Sequence, residues 1–176
     1  HAKDMYNNDV LIQERYRRLS DCRNYNDITI RYRRDGNKYD DRVNSEIYKL
    51  MNTIDEFSAQ RFYLVYCAVA DDVNKIAKFA VIDLHALVNE FQKGNIMVPA
   101  LGSPDSKRSY ILSDGRMVAG VNGNRDFSST FLSLDVGQLA AYFPETVHYE
   151  HGFQQVIYNG KPVVPMTYSG QLEAMA

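Results

Sequence analysis

Two thirteen-residue stretches constrain this chain more than anything else in it. FAVIDLHALVNEF at 79–91 and FLSLDVGQLAAYF at 131–143 align without a gap, with Phe, Asp, Leu and Phe recurring at the first, fifth, ninth and thirteenth positions. Each begins as a short apolar run of strand length and reaches an Asp able to cap a helix. Each then continues with Leu and Phe at a spacing that folds them back onto the sheet. Two explanations stand: one physical solution for running a strand into a helix, used twice, or duplication of a common unit. Either way the chain needs a sheet with helices packed on it.

The rest of the sequence extends that frame. DITIRYR (27–33) alternates Ile28, Ile30 and Tyr32 with Thr29, Arg31 and Arg33, the pattern of a half-buried strand. RFYLVYCAVA (61–70) reads as a buried strand, Asp71–Asn74 as a turn, and KIAKFAVID (75–83) as its partner, with Gly94 closing the helix that follows. A helical stripe over about 41–57 is formed by Val43, Ile47, Leu50, Met51, Ile54 and Phe57, with Asp40 or Asp41 as N-cap. Residues 9–20 (DVLIQERYRRLS) are expected as a short helix with Val10, Leu11 and Leu19 inward and the arginines outward. SYILSDGRMVAGV reads as a hairpin around Asp114-Gly115, and FQQVIYNGKPVVPMTY as a hairpin with an Asn-Gly turn. The expected class is α/β in the mixed α+β sense: a central mixed sheet flanked by helices, with a C-terminal β-hairpin.

A chain of 176 residues with 45% hydrophobic composition is expected as a single domain, 1–176. It divides into an N-terminal helical segment (1–24), an α/β core (25–143) and a hairpin extension (144–176). Its net charge of −2 creates no global field for DNA or membrane. The charge is unevenly placed: residues 1–34 hold eight Lys/Arg against five acids, a surplus of three, which leaves the remainder at −5. No apolar run approaches the ~18 residues that span a bilayer, and no signal peptide is visible. Cys22 and Cys67 make no disulfide framework. The expected setting is the reducing cytoplasm, with no membrane partner.

The blocks RFYLVYCAV, KFAVIDLHALV and NRDFSSTFLSLDVGQL, preceded by YNDITIRYRRDG as a core strand hairpin, resemble the PD-(D/E)XK superfamily of restriction-endonuclease-like domains, in a phage-type form. The likeness covers about residues 25–143 and lies mainly in the order of hydrophobic blocks. It implies a restriction-endonuclease-like core and an active site of two acids and a lysine. In that site the acids hold Mg²⁺ through oxygen ligands and prepare water for attack on a phosphodiester. The lysine should follow the second acid after one intervening residue. Asp27-Ile28-Thr29 has Thr there, and Asp83-Leu84-His85 has His. The resemblance therefore implies either a metal-dependent endonuclease or a catalytically degenerate relative.

RYRR occurs twice, at 15–18 and 31–34. Arg15, Arg17, Arg18, Arg31, Arg33 and Arg34 can neutralise phosphates, and Tyr16 and Tyr32 can stack on bases, if their two elements lie side by side. Otherwise the arginines are ordinary solvated faces. Asp27, Asp41 and Glu46 are the expected catalytic acids and Mg²⁺ ligands, although each also has a local role as turn, cap or helix-surface residue. Asp83 ends a strand, where ligands attach in α/β sheets, or simply caps the next helix. Glu145, His148, Glu150 and His151 form the densest His/acid cluster; Pro144 and Gly152 argue for strand or loop and for exposed histidines rather than a helical metal site.

These residues point to a nucleic-acid-binding protein resembling a Mg²⁺-dependent endonuclease. The alternative is a non-enzymatic phage or mobile-element protein that binds a host protein through a surface drawn from its 13 tyrosines.

Overall fold

The computed structural model describes residues 2–3, 9–17, 26–34, 46–51, 60–69, 72–99, 107–123, 129–151, 157–158 and 161–162. They form a mixed α+β arrangement of several sheets and three α-helices. The order in the chain is β1 (Ala2–Lys3), β2 (Asp9–Arg17), β3 (Asp27–Arg34), α1 (Glu46–Met51), β4 (Gln60–Val69), β5 (Asp72–Asp83), α2 (Leu84–Gln92), β6 (Ile96–Met97), β7 (Tyr110–Ile111), β8 (Met117–Val118), β9 (Gly120–Gly123), β10 (Ser129–Asp135), α3 (Val136–Tyr142), β11 (Val147–His151), β12 (Ile157–Tyr158) and β13 (Lys161–Pro162). No helix among the described residues is long and apolar enough to cross a membrane.

A five-stranded sheet runs β1-β2-β4-β5-β11, and a three-stranded antiparallel sheet runs β3-β10-β9. Smaller ladders join β6-β8-β7 and β12-β13. In the larger sheet β2 and β4 are parallel while β4–β5 and β5–β11 are antiparallel, so the sheet is mixed.

The helix expected at 9–20 is a correction. Residues 9–17 are β2, aligned in parallel with β4 from Leu11 opposite Gln60 to Arg17 opposite Cys67. The expected stripe rested on only Val10, Leu11 and Leu19, too few to hold a helix on a core. The segment also contains strand-favouring Val10, Ile12 and Tyr16. Pairing with the apolar β4 satisfies the backbone groups along one edge of β2, and tertiary context decides. A smaller difference concerns β5, which begins at Asp72 rather than 75 and pairs Asp72 with Val69.

The strand expected over 27–33 is β3, with Ile28 and Ile30 fully buried. Of the stripe over 41–57, residues 46–51 are helical, with Ile47 and Leu50 in the core; Val43, Ile54, Phe57 and the caps Asp40 and Asp41 lie outside the described residues. The turn around Asp114-Gly115 joins β7 to β8 with Gly115 at φ +86°, a left-handed conformation that favours glycine. The Arg116 guanidinium holds Asp114 from the far side of the turn at 2.7–2.8 Å, keeping that carboxyl below its usual range.

The two thirteen-residue stretches are the same structure built twice. Asp83 ends β5 and accepts the N–H groups of His85 and Ala86 at 2.9 and 3.0 Å; Asp135 ends β10 and accepts the N–H of Gln138 at 2.9 Å. Equivalent positions are buried in both: Ile82 and Leu134, Leu84 and Val136, Leu87 and Leu139, Phe91 and Phe143. All eight join one hydrophobic core with Ile28, Ile30, Ile47, Leu50 and Leu132. At ~1.5–3 kcal/mol for each buried large side chain, this cluster is the main favourable term holding the sheets and helices together. Gly94 at φ +75° ends α2 in a Schellman motif, in which Asn95 N–H donates to Glu90 O and Gly94 N–H to Phe91 O, both at 3.0 Å.

Candidate functional site on the β3–β10 face

Because strand side chains alternate, burying Ile28 and Ile30 sends Asp27, Thr29 and Arg31 to the other face of the three-stranded sheet. Register then sets their neighbours. Asp27 lies opposite Asp135, Thr29 opposite Ser133, and Arg31 opposite Phe131. The face is thus graded along β3 from a carboxylate pair, through two hydroxyls, to a guanidinium beside an aromatic ring. On β9, Gly120 pairs with Ser133 and Asn122 with Phe131, extending the rows.

The carboxylate pair is the most unusual feature. Asp135 is largely buried, and desolvation, with a further push from the Asp27 charge, holds its carboxyl above the ordinary range. Its helix-capping hydrogen bonds and the Lys78 ammonium oppose that rise. Asp27 accepts a hydrogen bond from the Ser133 hydroxyl. Lys78, from β5 in the other sheet, is only 7% exposed and donates to Asn26 Oδ1 at 2.9 Å. Val136 N–H donates to the Asn26 carbonyl at 2.8 Å, locking the start of β3 to the end of β10.

Among the arginines, Arg15 reaches this face from β2, placing Nη1 3.3 Å from Thr29 Oγ1. Its Nη2 is 3.9 Å from Glu46 Oε1, a loose ion pair. Arg31 lies over the Phe131 ring, 5.8 Å from the centroid, and its Nε makes no hydrogen bond. Arg33 is half-buried beyond an irregularity in the β3–β10 ladder. Tyr32 packs against the core, so the ring beside Arg31 is Phe131. Arg17 and Arg34 lie in β2 and β3, as does Tyr16 in β2; their side chains, with Arg18 and Asp41, fall outside the described residues.

Glu46 does not join Asp27. Its Oε2 accepts the Arg31 backbone N–H at 2.8 Å, closing an open position on the outer edge of β3. Arg31 is four residues from Asp27, about 13 Å along a strand. The acid the structure brings to Asp27 is Asp135, which sequence reading assigned only to capping. Its signal was present, a strand-ending Asp in STFLSLD, but the partner strand was not deducible from pattern.

The other candidate cluster divides. His148 Nε2 lies 3.1 Å from Asp83 Oδ2, which adds a partner to that helix cap, while Glu145 sits in a 3₁₀ turn and Glu150 in β11. Among the described residues no three His, Cys, Asp or Glu converge as metal ligands. A cation on the β3–β10 face would therefore rest on the two carboxylates, water and substrate oxygens, a donor set suited to Mg²⁺. Burial is the main cause of the raised Asp135, and the smaller push from the Asp27 charge is the part that a divalent cation between the two would relieve. Compared with known proteins, the chain matches no family model, no curated protein and no solved structure.

Proposed function

We propose that this protein binds a nucleic-acid backbone on the β3–β10 face and cleaves its phosphodiester bonds with Mg²⁺ held by Asp27 and Asp135. The observation that carries the reading is the direct opposition of those two acids beside Lys78, with Arg15 and Arg31 on the same face. The acid pair and lysine match the chemistry of the PD-(D/E)XK active site, and the assignment brings with it a restriction-endonuclease-like topology, a C-terminal hairpin extension and a cytoplasmic setting. The lysine is supplied differently from the family pattern. Two residues after Asp135 stands Gly137, and the amine comes from β5.

Bound Mg²⁺ would supply Lewis acidity at a phosphoryl oxygen. The chain's own groups supply the rest. Arg15 and Arg31 attract and orient the backbone. Ser133 orients the Asp27 carboxylate by donating to it. Lys78, fixed by Asn26, adds positive charge near the acid pair.

The test is cleavage of labelled single- and double-stranded oligonucleotides with Mg²⁺, with EDTA, and with Asp27→Asn and Asp135→Asn. Loss of cleavage in all three controls, with both variants folded, is the expected result. Cleavage that persists in folded Asp27→Asn and Asp135→Asn rejects the assignment. Absence of cleavage and binding, with capture of one discrete host protein, transfers the function to the alternative, a protein-binding surface using exposed tyrosines such as Tyr48 and Tyr110.

A further inference from the structure

Helix α3 begins in a capping arrangement that another segment of the chain has entered. Asp135 is the N-cap and Gln138 the third helical residue, the Asp-x-x-Gln order of a capping box. Half of that box is made: Asp135 Oδ1 accepts the Gln138 N–H at 2.9 Å. In the other half the Gln side chain would accept the N-cap N–H. Here the Ser109 hydroxyl stands between the two, accepting the Asp135 N–H at 2.9 Å and donating to Gln138 Oε1 at 2.9 Å. The β9 ladder stops at Gly120 opposite Ser133, so the Asp135 N–H lies past its end. In the twin unit the third helical residue of α2 is Ala86, whose side chain offers no acceptor. Of the two units, only α3 has a second partner in reserve for its N-cap N–H.

Ser109 ends a strap, residues 107–109, that lies over the row beside the acid pair. Thr29, Ser133 and Gly120 form that row. The backbone of Lys107 and Arg108 presses on Gly120, where a Cβ would fall 2.7 Å from Lys107 O and from the Arg108 carbonyl carbon. Ser133, next in the row, is only 3% exposed. The grip of the strap is polar. Asn122 Nδ2 donates to Lys107 O at 2.7 Å, Ser109 makes the two bonds above, and the Lys107 and Arg108 side chains are exposed rather than in the core. Hydrogen bonds of this kind exchange for water at small net cost. Withdrawal of Ser109 also frees Gln138 Oε1 to accept the Asp135 N–H itself, which completes the box. The same donor is thus satisfied in two arrangements, one with the strap down and one with it raised, as a two-state element requires. Resting on the reading above, we infer that residues 107–109 are a gate over the Asp27–Asp135 pair, closed in this structure by Ser109 and opened when Gln138 takes over the Asp135 N–H. The closed state covers the row beside the acids, and the open state admits the cation and the phosphodiester.

Two probes separate the gate from the chemistry beneath it. A water-soluble carbodiimide with a labelled amine tags accessible carboxyls, mapped by mass spectrometry, and Mn²⁺ alone reports cation binding. Ser109→Ala removes the wedge, and Asn122→Ala removes the other anchor of the strap, away from the α3 cap. Each should raise labelling of Asp27 and Asp135 about tenfold and tighten Mn²⁺ binding about tenfold, the change expected when the open fraction rises from on the order of a tenth. The exchange of partners has its own signature in urea titrations. Ser109→Ala and Gln138→Ala each leave one acceptor for the Asp135 N–H, whereas the double variant leaves neither. The double variant should lower the folding equilibrium at least about fivefold beyond the two single effects combined. Labelling that stays at the wild-type level in either folded strap variant overturns the gate, and additive effects in the cycle overturn the exchange of partners. Labelling that rises as expected without Mn²⁺ binding upholds the gate and rejects the metal-dependent reading alone.

Discussion

Asp27 and Asp135 face each other across adjacent antiparallel strands, and Asp135 is pushed above the ordinary carboxylate range by desolvation and, less, by its neighbour's charge. Its counterpart in the earlier strand–helix unit, Asp83, performs the same capping task next to His148 instead of a second acid. One local solution thus sits beside two different neighbours, an imidazole in one unit and a second carboxylate in the other.

Replacing Asp135 with Asn should stabilise the fold at neutral pH while abolishing cleavage. Asn caps helices about as well as Asp, so the bond from Gln138 survives while the buried charge is removed. Because the folded pKa is raised, the native state binds more protons than the unfolded state between the unfolded value, ~3.9, and the folded one. The Asp135 penalty is therefore present above the folded value and vanishes below ~3.9. Urea melts of both proteins should show the Asn variant ahead at pH 7 and the gap closed at low pH. A wild type more stable than the variant at pH 7 contradicts the geometry.

Glu46→Gln should tighten polyanion binding. Gln keeps an oxygen for the Arg31 N–H, so the closed β3 edge is retained, but the negative charge beside Arg15 is removed. Stability should change by less than about 1 kcal/mol, as expected for a loose, partly exposed pair. Oligonucleotide affinity at low salt should rise several-fold. An unchanged or lower affinity in the folded variant would remove Arg15 and Arg31 from the binding surface.

Gly120→Ala should cost about 1–3 kcal/mol, because the new methyl meets main chain at 2.7–2.8 Å rather than a flexible side chain. Chemical denaturation reads the loss. A neutral effect would mean that residues 107–109 do not lie against β9.

Leu134→Ala removes a fully buried side chain from the core of the described residues and should cost about 2–5 kcal/mol. Asp83→Ala should cost less, about 0.5–2 kcal/mol, since it removes a helix cap whose backbone donors then lose their acceptor. Reversal of that order in urea titrations would contradict the view that apolar packing, not capping, dominates here.

Much of the framework follows from residues acting locally. The Asp caps of α2 and α3, the Ile28–Ile30 inward face, the Gly115 turn and the Gly94 helix stop are all legible because each depends on side chains within a few positions. Residues 9–17 have a local pattern compatible with helix yet form a strand, because their state is decided by β4, some fifty residues away in sequence. The site shows the same division. Period-two alternation places Asp27, Thr29 and Arg31 on one face from sequence alone. That Asp135 rather than Glu46 stands opposite Asp27, that Phe131 rather than Tyr32 lies under Arg31, and that Lys78 arrives from another sheet are consequences of long-range register. A strand's periodicity states which side chains share a face, whereas its partner is selected by how the whole core packs, and no local pattern encodes that choice.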